Sequence, residues 1–134
     1  MEERNVTVIC ATYNRAHSLP RMLDALIRQS FDKSKWKLVV VDNNSSDQTQ
    51  EVLKSYQDKL PLTILFEAKQ GKSNAVNQAF EHVEGDLVVT IDDDIEPFDD
   101  WLEHMVRVAN EKKEFDIFCG YIEPLWEEEP EEWI

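Results

Sequence analysis

The sequence predicts an α/β domain in three layers, with helices on both faces of a mostly parallel central sheet. Strand-like and helix-like segments alternate along the chain, the order that parallel crossovers produce. The strand-like segments are continuous apolar runs, such as VTVICA, LVVV and LVVTI, and so read as buried on both faces. The 134 residues, 42% of them hydrophobic, match the size and core content of one domain.

Each element has its own warrant. Residues 5–11, NVTVICA, predict the first strand through their β-branched content. The polar TYNRAHS reads as a loop. Ser18 is a candidate N-cap, and Pro20 falls in the first helical turn, where its missing N–H costs nothing. Leu19, Met22, Leu23, Leu26 and Ile27 then form a helical stripe. Residues 36–42, WKLVVVD, predict a second strand, NNSSD a turn and cap cluster, and residues 47–57 a second helix carrying Val52, Leu53 and Tyr56. Residues 62–66 predict a third strand. Gly71 starts a break, and residues 73–83 predict a third helix with Ser73 as its cap. Residues 87–91 predict a fourth strand ending in Asp92-Asp93-Asp94. Asp99 is placed to cap a fourth helix through Trp101, Leu102, Met105, Val106 and Ala109. Residues 115–122, FDIFCGYI, predict a fifth strand. The last twelve residues, 123–134, hold six Glu, two Trp and two Pro without a basic residue. They do not complete this domain, and the expectation is a chain cut from a longer protein.

Charge narrows the function classes. The net charge of −14 divides into +2 over residues 1–72 and −16 over residues 73–134. General nucleic-acid binding, which needs a basic footprint, is disfavoured; an acidic half suits a cation or a solvated surface. Cys10 and Cys119 sit in apolar strings and read as two buried reduced thiols, with no C-x-x-C pair for a zinc or redox site. The chain opens acidic, without a signal-peptide pattern, and has no apolar run long enough to span a bilayer, so a cytoplasmic protein is expected.

In open parallel sheets, ligands bind beyond the carboxyl ends of the strands. The polar strand-end groups are Thr12-Tyr13-Asn14, Asp42-Asn43-Asn44-Ser45 and Asp92-Asp93-Asp94, joined by Gln70-Gly71-Lys72-Ser73 before the third helix. Three adjacent carboxylates repel one another, and a hard divalent cation offsets that repulsion. Mg²⁺ takes one or two carboxylates and fills its shell with water and phosphate oxygens, as a nucleoside diphosphate requires. The competing reading is a solvated acidic turn. Asp42 likewise reads either as a ligand or as an Asx turn through Ser45, Ser46 and Asp47, and Tyr13 either as a base-stacking ring or as a wall of the core. Gly71-Lys72-Ser73 fails as a phosphate-binding P-loop, because the first glycine of that pattern is Phe66 here. No G-x-G-x-x-G is present, and His17, His82 and His104 share no ligand spacing.

Together, VTVICATYNR, VVVDNNSSDQT, GKSNAVNQAF and GDLVVTIDDDIEP, in this order, resemble the family 2 glycosyltransferases of the Rossmann-like GT-A fold, over essentially the whole chain. By that resemblance, Ala11 and Tyr13 match positions that contact the nucleotide base. Asp42 and Asn43 match the acidic pair on the base and ribose side, with Asn43 where the family often has Asp. Gly71, Ser73 and Asn77 match the segment bordering the donor. Asp92 and Asp94 match the D-x-D acids, Asp94 on the metal and Asp92 on the ribose or metal-bound water, with Asp93 between them. The resemblance implies metal-dependent (Mg²⁺ or Mn²⁺), inverting transfer of a sugar from a nucleotide-diphosphate sugar to an acceptor hydroxyl of a glycan or lipid-linked molecule. It implies polysaccharide or surface-glycan synthesis at the cytoplasmic face of a membrane, with peripheral attachment in the full-length protein. Residues 1–122 are then the donor-binding half, and residues 123–134 lead toward an absent acceptor-binding half. No general base is found in residues 1–134, so this chain alone is expected to be inactive in transfer. Surface uncovered by truncation is expected to favour a homodimer. The alternatives are a non-catalytic nucleotide-sugar binding module, a receiver-type signalling domain and a nucleotidyltransferase. A receiver domain brings acids from its first strand, which here ends Ala11-Thr12-Tyr13. A nucleotidyltransferase usually carries a Gly-rich loop, which ATYNRAHS lacks.

Overall fold

The computed structural model of the chain describes residues 5–129 and 131. The opening Met1-Glu2-Glu3-Arg4 and, in the acidic tail, Pro130 and residues 132–134 lie outside the described residues.

The elements are β1 (Val6–Thr12), α1 (Leu19–Ile27), β2 (Trp36–Asp42), α2 (Thr49–Ser55), β3 (Leu62–Phe66), α3 (Lys72–Phe80), β4 (Leu87–Thr90) and α4 (Trp101–Glu111), with one 3₁₀ turn over Lys33–Lys35 before β2. The four strands form one sheet in the order β3-β2-β1-β4, and every pairing is parallel. The chain therefore winds outward from β1 through β2 to β3, then returns past both to pair β4 with the free side of β1. Right-handed crossovers in opposite directions put their helices on opposite faces. The packing follows that rule. Val6, Val8 and Cys10 of β1 and Leu38 and Val40 of β2 face Leu19, Met22, Leu23 and Leu26 of α1, Leu53 of α2, and Leu102 and Val106 of α4. The alternate residues Ile9, Val39 and Val41 face Ala75 and Ala79 of α3. Strand period two thus divides each buried strand between two cores. The second core is thinner, because α3 meets it with the small Ala75 and Ala79, with Val76 and Val83 packed beside them.

The structure corrects four expectations. Residues 115–122 form no strand; this stretch is irregular, with Phe115, Ile117, Tyr121 and Ile122 exposed, because no neighbouring strand pairs with it. Cys119 is consequently exposed, and only Cys10 is buried. Neither serine caps its helix through its side chain. Ser18 holds the N-cap place of α1 with its Oγ buried and unpartnered, while Gly71 is the N-cap of α3 and Ser73 lies inside the helix. Asp100, not Asp99, precedes α4.

Candidate functional site

The return of the chain past β1 creates the crevice in which ligands of such sheets bind. A cavity of about 510 Å³ opens there, lined by Ala11, Thr12, Tyr13, Arg15, Asn43, Gln70, Gly71, Lys72 and the triplet Asp92-Asp93-Asp94. Loops after β1, β2 and β4 and the start of α3 all contribute, so residues up to 83 positions apart converge on one end of the sheet.

The loops are braced to one another. Asn14 adopts a positive φ of 51°, which Asn tolerates. Its amide donates to Ser45 Oγ at 2.9 Å, and its Oδ1 accepts from the Ser46 amide at 2.8 Å. The Arg15 amide donates to Thr49 Oγ1, and the Ala16 amide to Asp47 Oδ2. Asn43 uses its whole side chain. Nδ2 donates to the carbonyl oxygens of Glu67 and Lys69, each at 3.0 Å, and Oδ1 accepts from the Gly71 amide at 2.8 Å. That last bond fixes where α3 begins. Gly71 itself has φ 133°, a conformation side chains rarely adopt, and an added Cβ would lie 3.0 Å from Asn74 Nδ2.

The three aspartates do not point the same way. Asp93 turns inward, accepting from Thr12 Oγ1 at 2.9 Å with Arg15 Nε 3.6 Å away. Asp92 accepts from Lys72 Nζ at 2.6 Å, and this hydrogen bond holds the Lys72 ammonium above its usual pKa. Asp94 is exposed and makes no hydrogen bond or ion pair among the described residues. No group of three or more His, Cys, Asp or Glu side chains among the described residues is arranged to hold a metal ion. The donor set still fits a hard divalent cation. One bare carboxylate and one exposed, exchangeable one supply what Mg²⁺ or Mn²⁺ takes from protein, and the open cavity beside them leaves room for phosphate oxygens. Beneath, burial pushes the Cys10 thiol up, and the nearby Asp93 and Asp92 add to the shift. The thiol is neutral and inert, a packing residue.

Most of the predicted site residues meet here. Ala11, Tyr13, Asn43, Gly71, Asp92, Asp93 and Asp94 line the cavity. Tyr13 is 47% exposed and is not a core wall. Asp42 lies just under the site, fully buried; its Oδ1 accepts from the Ser45 amide, while Oδ2 has no partner. Ser73 and Asn77 are exposed on α3 and do not line the cavity. Sequence reasoning placed Thr12, Gln70 and Lys72 in the strand-end loops without giving them a role, and it missed Arg15. The two cations carried a signal: both sit in the strand-end loops already singled out, in TYNR and QGKS, and an anion-binding pocket needs positive charge.

Residues 7–129 match the sequence family described as glycosyl transferase family 2. The chain belongs to this family. Among relatives, it is 36% identical over 108 residues to the glycosyltransferase AglE of Haloferax volcanii, covering 78% of this chain and 35% of AglE. The crystal structure of S. aureus TarS 1–349 in complex with UDP superposes with a TM-score of 0.76 at 28% identity, over 81% of this chain and 33% of that one. The mannosyltransferase PcManGT from Pyrobaculum calidifontis, in complex with GDP-Man and Mn²⁺, gives a TM-score of 0.75 at 34% identity, over 81% of this chain and 33% of that one. The fold is thus that of the GT-A glycosyltransferases, and this family 2 chain spans about a third of the length of these relatives. Among the described residues, no helix is long and apolar enough to cross a membrane.

Proposed function

We propose that this chain is the nucleotide-sugar donor-binding part of a metal-dependent, inverting glycosyltransferase that acts in glycan or polysaccharide synthesis. One observation carries the reading: an aromatic ring, two cations and an acidic triplet with a bare carboxylate share one cavity at the carboxyl ends of β1 and β4. That is the inventory for a base, a diphosphate and a divalent cation. The bound UDP of one related structure and the GDP-Man and Mn²⁺ of another support it.

In this reading Tyr13 stacks on the base, while Asp42 and Asn43 shape the base and ribose side. Asp94, with Asp92, would hold the cation, which when bound neutralises charge on the diphosphate as it leaves. Arg15 and Lys72 present positive charge to the same diphosphate. Transfer forms a bond from an acceptor oxygen to the anomeric carbon, breaks the bond to the diphosphate from the opposite face, and hands the hydroxyl proton to a carboxylate base. Among the described residues the triplet supplies every carboxylate lining the cavity. Asp92 and Asp94 are assigned to the cation and Asp93 is turned inward onto Thr12 and Arg15, so the proposal for this chain alone is donor binding without transfer. Residues 1–122 form that binding part, with residues 123–134 leading out of it. Placement at the cytoplasmic face of a membrane, with a glycan or lipid-linked acceptor, belongs to the same proposal.

Calorimetric titration of UDP, GDP and dTDP, with and without Mn²⁺, tests it. One nucleotide is expected to bind in a Mn²⁺-dependent manner, weakened about tenfold or more in Asp94→Asn, the loss of a charged partner costing roughly 1.5–3 kcal/mol. Equal affinity with and without Mn²⁺, or no effect of Asp94→Asn, overturns the metal-dependent reading.

A further inference from the structure

The cavity holds a cation of the chain's own, the ammonium of Lys72. Its Nζ lies 2.6 Å from Asp92 Oδ1, at the very group assigned to the metal side of the donor site. Each neighbouring carboxylate has a different arrangement. Asp93 is held from inside by Thr12 and Arg15, and Asp94 is bare. Lys72 is the first residue of α3, and the Asn43–Gly71 bond fixes the start of that helix, so its side chain swings from a rigid base. Both partners are well exposed, the lysine side chain 69% and the aspartate 56%, and an exposed pair of this kind holds weakly. It is strong enough to relieve repulsion within the triplet and weak enough to be displaced.

We propose that Lys72 is a displaceable internal counter-ion. It pairs with Asp92, would yield that carboxylate to a divalent cation, and would then present its charge to the diphosphate of the donor. This rests on the reading of the cavity as a donor site. A divalent cation and an ammonium cannot share Asp92 without repelling, so cation entry releases Lys72. The released charge remains on the cavity wall that the diphosphate faces. The consequence is a coupling: nucleotide favours the displaced lysine, displaced lysine favours the cation, and by linkage each ligand tightens the other.

The signature is a pair of opposite signs, read by electron paramagnetic resonance of free Mn²⁺. In Lys72→Met, Mn²⁺ alone is expected to bind about threefold to fivefold tighter than in the unaltered chain, the size of an exposed pair's contribution. In the presence of Mn²⁺, the nucleoside diphosphate that binds the unaltered chain is expected to bind Lys72→Met about tenfold weaker, for loss of a charged contact. Lys72→Arg, which keeps the charge, is expected to restore both values toward those of the unaltered chain. Mn²⁺ binding that is unchanged or weaker in Lys72→Met overturns the counter-ion role. If that same Mn²⁺ is still lost in Asp94→Asn, the donor-site reading stands without it. Absence of Mn²⁺ binding to the unaltered chain, with or without nucleotide, overturns both.

Discussion

Asn43 sits where the family resemblance leads one to look for an acid, and its hydrogen bonds explain why an amide is needed here. Its Nδ2 donates to two backbone carbonyls, from Glu67 and Lys69, while its Oδ1 accepts from Gly71. A carboxylate keeps the acceptor and replaces the donor with a second, partly charged oxygen aimed at two carbonyl oxygens. Asn43→Asp is therefore expected to destabilise the fold by about 1 kcal/mol in urea unfolding, despite moving toward the family's commoner residue, because two carbonyl acceptors in part-buried hydrogen bonds lose their donor. An Asn43→Asp chain as stable as the original would show that the loop over residues 67–71 rearranges freely. The type and place of this residue were legible in the sequence. Its engagement was not, since the partners lie 24 to 28 positions downstream and their direction depends on how the β3–α3 loop folds back. The same limit applies to Asp93. Three consecutive aspartates look equivalent as letters; the strand end turns one toward Thr12, one toward Lys72 and leaves one bare.

Strands and helices were legible wherever local pattern and tertiary partner agree. The second and third strands fall on Trp36–Asp42 and Leu62–Phe66 as expected, because β-branched runs there find parallel neighbours on the sheet. FDIFCGYI has the same composition and no neighbour, so composition alone misread it. The NNSSD cluster before α2 was legible as a cap region, but not as the clamp it forms with the β1 loop. Asp47 Oδ1 accepts from the Thr49 hydroxyl and amide, and Oδ2 from the Ala16 amide. These hydrogen bonds, the Thr49 hydroxyl foremost, hold the Asp47 carboxyl below its ordinary 3.8. A group whose folded pKa is depressed contributes stability above its unfolded pKa and loses it as pH falls through the folded one. Asp47→Asn retains one acceptor and turns an NH₂ toward a donor. It is expected to lower the thermal midpoint near neutral pH, with the gap to the unaltered chain closing as pH drops below 3.8. A gap that persists undiminished in acid would mean that the clamp acts through shape and not through the carboxylate.

At the scale of the whole molecule, the uneven covering of the sheet has a measurable consequence. A compact domain of 15.7 kDa exposes about 7,300 Å². This chain exposes 8744 Å². The excess has a visible source: Phe115, Ile117, Tyr121, Ile122, Leu125 and Trp126 stand out along one irregular stretch, none less than 53% exposed, while β3 at one edge of the sheet is only partly covered. Apolar side chains exposed in this number along one stretch favour association in water. The charge map opposes it in part, since residues 73–134 carry −16 and two such surfaces repel until salt screens them. Sedimentation velocity is therefore expected to show a mass that rises with protein concentration, and rises further when salt is added. The double change Ile117→Ser and Ile122→Ser removes two exposed side chains, each worth about 1.5 kcal/mol when buried, and is expected to weaken association well over tenfold. It should leave the fold intact, because both side chains are largely in solvent, at 83% and 73% exposure. Monomeric sedimentation at every concentration and salt level would show instead that the stretch folds back to cover its own apolar residues.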